Sequence, residues 1–243
     1  MVPCPTLEVP LDSIGSAVLA APFADRLELC DDLPSEGWSP SAELVRQVRE
    51  AVEIELVAMV RPRIEGADSS MAIAGFLATA EVVDASLREI EAFAAAGADS
   101  VAIGLVTREG LVDLEACGRL AETARSAGMT VAFLRTFDLL ADRERGMRDI
   151  AALGVTRVVT AGVLGWDASV ATLEERLEAL EADVRCAKAL APQGAPPIEL
   201  VAGGGVRFGN ALDFLAITPH LHASCRRDGR INRDELAQLR LVL

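Results

Sequence analysis

His220-Leu221-His222 holds the only two histidines of the chain. On a β-strand a His-x-His pair projects both imidazoles to one side, a spacing that soft and borderline metals use. Cys225 follows three residues later. His220 is expected to be a core or rim histidine with a hydrogen-bond partner, and His222, higher on the strand, a ligand contact. A second stretch, Val131 through Asp138, reads as a buried strand that carries Arg135 in its second half and an acid at its exit. A guanidinium that cannot reach water needs an anion from a neighbouring strand or from a ligand. Asp138 can either cap the following helix or touch that ligand. The run Gly203-Gly204-Gly205-Val206-Arg207 lets backbone N–H groups approach an anion such as phosphate, although the same glycines also suit a tight turn. Thr160 is expected on the same rim.

The elements that must position these residues recur eight times as a short aliphatic run followed by a segment of helical period. Strands are expected over residues 6–9, 25–31, 54–61, 100–106, 130–137, 157–161, 198–202 and 220–224. The helices between them are expected over 12–21, 41–51, 71–95, 113–127, 142–152, 169–190, 209–216 and 232–241. Asp12, Ser41, Asp113, Asp142 and Asn232 stand as N-caps, and Gly97, Gly128 and Gly154 as left-handed stops. Eight βα units with right-handed crossovers close into a single-domain α/β (β/α)8 TIM barrel spanning residues 1–243. A doubly wound open sheet, with its first or last strand at an edge, is the alternative.

In a barrel strand one parity faces the lumen and the other packs under the helices, so a charge in mid-strand belongs to the lumen set. That rule sends inward Glu8, then Arg26, Glu28 and Cys30, then Met59 and Arg61, then Arg135, and last His220, His222 and Ser224. Carboxylates, guanidiniums and imidazoles thus converge on the end of the barrel where such folds keep their sites. A buried ion network that only fills the barrel is the competing reading. Each buried charge, however, costs several kcal/mol to desolvate, and apolar replacements are often as stable. The loops over 32–40, with Trp38, and 62–70, with Arg63, lie at the same end.

Composition narrows the partners. With 37 acidic against 23 basic side chains the net charge is -14, which repels nucleic acid and anionic membrane surfaces. The five cysteines are scattered, without a C-x-x-C pair, and do not read as a disulfide framework. No basic-then-apolar leader opens the chain and no apolar run reaches membrane length, so a cytoplasmic protein is expected.

Taken together, these landmarks resemble the CutC family, named for copper homeostasis. They are Asp25-Arg26-Leu27-Glu28-Leu29-Cys30, Glu36-Gly37-Trp38-Ser39-Pro40-Ser41, Val60-Arg61-Pro62-Arg63, Phe133-Leu134-Arg135-Thr136-Phe137-Asp138, Val159-Thr160-Ala161-Gly162, Gly203-Gly204-Gly205-Val206 and His222-Ala223-Ser224. The resemblance implies a (β/α)8 barrel linked to copper handling, with copper(I) held through cysteine. The chain departs from the family pattern at Pro10, where a cysteine is often found, at Leu134 in place of a histidine, and at His220 in place of a glutamate.

Two functions follow. In the first, Glu8, Glu28, Cys30, Arg61, Arg135, Asp138 and His222 build one ligand site, and Cys30 and His222, joined by Cys225, coordinate copper(I). In the second, the protein is an enzyme of a small phosphorylated or carboxylated metabolite. Gly203, Gly204, Gly205 and Arg207 hold the anion there, Arg61 and Arg135 clamp a second one, and Glu28 or His222 moves the proton. A homo-oligomer is expected in either case.

Overall fold

In the computed structural model, which describes residues 4–243, eight parallel strands close on themselves in chain order. They are β1 (Thr6–Leu11), β2 (Arg26–Leu29), β3 (Glu55–Met59), β4 (Ser100–Ile103), β5 (Thr130–Phe133), β6 (Arg157–Thr160), β7 (Glu199–Ala202) and β8 (His220–His222). Closure rests on β1 pairing with β8, where Thr6 stands opposite His220 and Glu8 opposite His222. That pairing leaves no edge and rules out the open sheet. Around the barrel lie α1 (Ile14–Ala20), α2 (Ala42–Ala51), α3 (Ala80–Ala95), α4 (Leu114–Ser126), α5 (Arg143–Ala152), α6 (Leu173–Leu190), α7 (Ala211–Leu215) and α8 (Arg233–Val242). A two-stranded ribbon, β9 (Arg226–Arg227) with β10 (Arg230–Ile231), follows β8 at the mouth. Among the described residues no helix is long and apolar enough to cross a membrane.

The alternation behind the parity rule is visible strand by strand. Leu7, Val9, Leu27, Leu29, Leu56, Val101, Ile103, Val131, Phe133, Val158, Leu200 and Leu221 all join the core beneath the helices. The other parity faces the lumen and is split in character. Cys30, Val57, Met59, Ala102, Ala132 and Leu134 form a separate apolar cluster on one side, while Glu8, Arg26, Glu28, Arg157 and His220 are buried on the other.

Most caps sit where expected: Ser41, Asp113, Asp142 and Asn232 each accept an N–H of the first turn. The first helix is capped by Ser13 instead of Asp12, because the Asp12 carboxylate is drawn to Arg226 at 2.7 Å. The expected helix over 71–95 begins only at Ala80. Thr79 caps it, and Ile73–Phe76 is a separate 3-10 turn that sets Phe76 in the core. Likewise the helix expected from residue 169 starts at Leu173, behind the Thr172/Glu175 capping box.

The strand expected over 130–137 is the main departure. It stops at Phe133, and Arg135–Leu139 turns as a 3-10 helix. The turn is held because the Asp138 carboxylate accepts the Ala161 N–H at 2.9 Å and the Thr160 hydroxyl, both at the end of β6. Lumen parity therefore runs through Ala132 to Leu134 and not to Arg135, the reverse of the expectation for this pair.

Gly162, just past β6, has φ +71°, and a Cβ there would lie 2.3 Å from the Arg176 carbonyl oxygen. The close approach brings α6 against the end of the barrel. Gly162→Ala is expected to lower the melting temperature by about 5 °C or more, through both the steric clash and the left-handed backbone. Differential scanning calorimetry of the two proteins checks this.

Candidate functional site

Inside the upper barrel, Glu8 on β1 is the first fixed point. Its carboxylate accepts from Arg26 Nε at 3.2 Å and from His222 Nδ1 at 2.8 Å. Burial alone pushes the Glu8 carboxyl up, but the His222 hydrogen bond and the charges of His222, Arg26 and Arg157 outweigh it and hold the group at about 2. The same contact works on the imidazole. Burial disfavours its charged form, yet the bond to Glu8 and the charge of Glu28 raise its pKa above the ordinary histidine value.

Glu28 on β2 lies across from His222, with 3.9 Å between Oε2 and Nε2. That distance is beyond a hydrogen bond, and no other donor among the described residues reaches this carboxyl. Burial, with Glu8 beside it, pushes Glu28 up to about 7 against the pull of His222 and Arg157. Two carboxyls on adjacent strands are thus driven apart in acidity, because burial prevails at Glu28 whereas the imidazole hydrogen-bonds only Glu8.

Glu28 and His222 open into a cavity of about 800 Å³ at the C-terminal ends of the strands. Its wall includes Met59, Leu134, Arg135, Trp166, Arg176 and Gly205. Arg135 reaches it from the 3-10 turn instead of from a strand. Its Nε bonds Asp138 at 3.2 Å, its Nη2 bonds the Trp166 carbonyl at 2.7 Å, and its guanidinium lies 4.6 Å over the Trp166 ring.

The remaining expected residues divide. Asp138 is fully buried and lies outside the cavity wall. Arg135, Arg143, Thr160 and the Ala161 N–H surround it, and Arg143 continues to Asp183 on α6. Thr160 belongs to that junction and does not line the cavity. Arg61 corrects the parity rule. It lies beyond the last paired residue of β3 and turns away from the lumen to a slot between Trp38, 4.0 Å away, and Phe76, 4.8 Å away. There it donates to the Gly37 and Ser69 carbonyls, and burial lowers its pKa to about 10.

Gly204 and Gly205 line the cavity, whereas Gly203 is tied back to Thr160 and Arg207 points outward, bonding the Val206 carbonyl and the Ser224 hydroxyl. His220, on the layer below His222, bonds Thr6 at 2.8 Å; burial lowers its pKa.

Strand parity and motif spacing do not point to Arg143, Trp166 or Arg176. A signal for Arg176 exists all the same: the buried stripe of α6 is Arg176, Leu180, Asp183 and Ala187, and a charge on the apolar face of a helix needs a partner inside.

Copper(I) favours thiolate and other soft donors. Cys30 is sealed in the apolar cluster with Val57, Met59 and Leu134, and its thiol reaches the Leu11 carbonyl at 3.5 Å. Burial and the nearby Glu28 push the thiol well above its usual range, so it is held protonated. Cys225, also buried, is pushed up to about 12. Pro10 lines the cavity at the β1 position where a second thiol would be needed. Among the described residues no group of three or more His, Cys, Asp or Glu side chains could hold a metal ion. The donor set does not fit a copper(I) centre.

Fold and site together define a (β/α)8 barrel with a mixed-charge, metabolite-sized cavity at the C-terminal ends of its strands. The CutC family model matches residues 6–226, and the chain belongs to that family. A family protein CutC of Xanthomonas campestris pv. campestris (strain B100) is 35% identical over 223 residues, covering 90% of this chain and 83% of that protein. Its counterpart in Histophilus somni (strain 2336) is 32% identical over 223 residues, covering 90% and 82%. The solved structure of a CutC from Streptococcus agalactiae, named for copper homeostasis, superposes with a TM-score of 0.75 at 22% identity, covering 90% of this chain and 98% of that one.

The two carboxyls give opposite pH dependences. Unfolded, each titrates near 4.5; folded, Glu28 titrates near 7 and Glu8 near 2. Between 4.5 and 7 the folded state keeps the Glu28 proton that the unfolded state has lost, so this group reduces stability as pH rises, and its penalty is complete above 7. Glu8 adds stability above 4.5 that is lost as pH falls toward 2. Glu28→Gln should remove a penalty on the order of 3 kcal/mol and raise the melting temperature at pH 8 by about 5 °C or more. Equal pH profiles for the two proteins between pH 5 and 8 would contradict the assignment. Asp138→Ala, which strips Arg135 and Arg143 of their shared carboxylate, should cost about 3–5 kcal/mol in denaturant unfolding.

Proposed function

We propose that the barrel cavity binds a small anionic metabolite and that Glu28 gives or takes a proton in its chemistry. The observation that carries this reading is the Glu28 carboxyl itself: buried, without a hydrogen-bond donor, facing the cavity and poised near 7. A general acid or base works best when its pKa lies near the working pH, because both protonation states are then populated. Burial of a carboxyl that no protein donor reaches among the described residues is costly, which favours a role over a structural accident.

The neighbouring groups support that role. His222, whose charged form the bond to Glu8 favours, stands across from Glu28 and can stabilise negative charge that develops on a ligand between them. Arg135 is set at the rim by Asp138 and Trp166, so its guanidinium needs little reordering to meet an anion. On the opposite side Met59 and Leu134 offer an apolar wall for a carbon skeleton. Cytoplasmic residence and a homo-oligomeric state remain part of the proposal. Among the wall residues it is Leu134, at the position of the family's usual histidine, that removes one candidate proton carrier and leaves Glu28 and His222.

The association of the family's name with copper makes copper(I) the competing occupant. Thermal-shift screening against sugar phosphates, organic acids and copper(I) separates the two, since only a ligand of the folded state stabilises by mass action. A phosphorylated or carboxylated metabolite is expected to raise the melting temperature, and carbon-13 NMR is expected to place the Glu28 carboxyl midpoint near 7. Copper(I) stoichiometry is expected to be the same in Cys30→Ser as in the natural protein. A copper(I) stoichiometry that falls in Cys30→Ser, with no metabolite shift, would overturn the proposal.

A further inference from the structure

Among the described residues four arginines are buried: Arg26, Arg61, Arg157 and Arg176. Arg26 has Glu8 at 3.2 Å and Glu199 at 3.6 Å, and Arg157 has Glu55 at 2.8 Å. Arg61 is enclosed by Trp38 and Phe76, away from the cavity. Arg176 is the one of the four that lines the cavity, and among the described residues no carboxylate lies within ion-pair reach of it. It is 7% exposed.

Its placement is not accidental. Nε donates to the Ala161 carbonyl at 2.7 Å, and Nη2 to the Gly203 and Gly204 carbonyls at 2.9 and 2.8 Å. The guanidinium rests 5.1 Å over the Phe214 ring. Three carbonyls from the ends of β6 and β7 therefore orient the group and leave Nη1 without a protein acceptor. A buried cation neutralised by dipoles alone is costly, and the cost is recovered when an anion arrives.

Beside Arg176 the chain turns through Gly204 and Gly205. Neither N–H has an acceptor among the described residues. A Cβ at Gly204 would lie 2.5 Å from the Ala161 Cβ, which holds the turn against β6, whereas one at Gly205 would meet nothing within 4 Å. Backbone N–H groups at such a position can approach an anion with no side chain in the way. The Ser224 hydroxyl, steadied from outside by Arg207 at 3.2 Å, lies on the same cavity wall.

We propose that Arg176, with the N–H groups of Gly204 and Gly205 and the Ser224 hydroxyl, is a phosphate subsite of this cavity; the proposal rests on the reading that the cavity takes an anionic metabolite. The donors are a guanidinium nitrogen, two backbone amides and a hydroxyl. They outnumber what the two oxygens of a carboxylate need and suit the three terminal oxygens of a phosphate monoester. Arg176 thus takes the part that the sequence pattern gave to Arg207. The ligand class is a phosphorylated small molecule, its phosphate at the β6–β7 side and its reacting carbon toward Glu28.

The test uses the full chain with inorganic phosphate as the probe, against acetate and chloride at matched ionic strength. Phosphate at about ten times its Kd should raise the melting temperature by about 3 °C over either control. Calorimetric phosphate affinity should fall about tenfold or more in Arg176→Met and recover in part in Arg176→Lys. If Arg176→Met does not fold, the wild-type and Arg176→Lys isotherms decide. Equal melting temperatures in all three salts would overturn the subsite, as would wild-type phosphate affinity in a folded Arg176→Met. An acetate shift equal to that of phosphate would replace phosphate by carboxylate. The NMR titration of Glu28 in the wild type does not depend on any of these results, so failure of the subsite and failure of the proton-transfer reading are told apart.

Discussion

An ionised side chain inside a closed barrel has no water to retreat to, and that constraint orders the interior of this protein. Apolar outer parity and the surrounding helices seal the strands, so each inward charge must find a counter-charge in the lumen. Below the level of Glu28 it does: Arg26 with Glu8 and Glu199, Arg157 with Glu55. Toward the mouth the pairing runs out. Among the described residues Glu28 keeps a carboxyl with no hydrogen-bond donor, and Arg176 a guanidinium with no carboxylate. Arg61 is likewise without a carboxylate but is enclosed by rings and carbonyls, whereas Glu28 and Arg176 face the cavity, which is why these two carry the functional reading.

The network also separates positioning from chemistry. Asp138 looks like a ligand-contacting acid at a strand end, yet every oxygen lone pair it can offer is directed to Arg135, Arg143, Thr160 or the Ala161 amide. It joins β5, β6 and α5 and, through Arg143, α6. Its effect on the cavity passes through Arg135, which it orients. Arg61 is held by a different means, between two aromatic rings and over backbone carbonyls. Planar, weakly hydrated guanidinium tolerates that setting better than an ammonium would.

The metal question turns on acidity and packing more than on residue type. A cysteine near a histidine reads as a soft-metal pair, but here the thiol sits among Val57, Met59 and Leu134, where burial keeps the proton on sulfur. The facing β1 position is Pro10. Membership of the CutC family is therefore compatible with a cavity whose chemistry is carried by carboxyl, imidazole and guanidinium.

The eight strands, most helix caps and the inward set Glu8, Arg26, Glu28, Cys30 and His222 could all be derived from the sequence. Period-2 alternation and capping are local, and local chemistry survives into the fold. The reach of a side chain beyond the last paired residue is not local. Arg61 has the lumen parity of β3 and Arg135 the outer parity of β5, yet both lie past the last paired residue, where Trp38, Phe76, Trp166 and Asp138, all distant in the chain or around a turn, decide where each guanidinium goes. The same holds for Arg176, whose place at the cavity depends on α6 packing against Gly162 and on carbonyls of two strands. Sequence alone determined that Glu8, Arg26, Glu28 and His222 had to be inside; only closure of the barrel added Arg157 and Arg176 and decided which charges found partners and which were left for a ligand, because pairing depends on distances across the lumen that no spacing along the chain encodes.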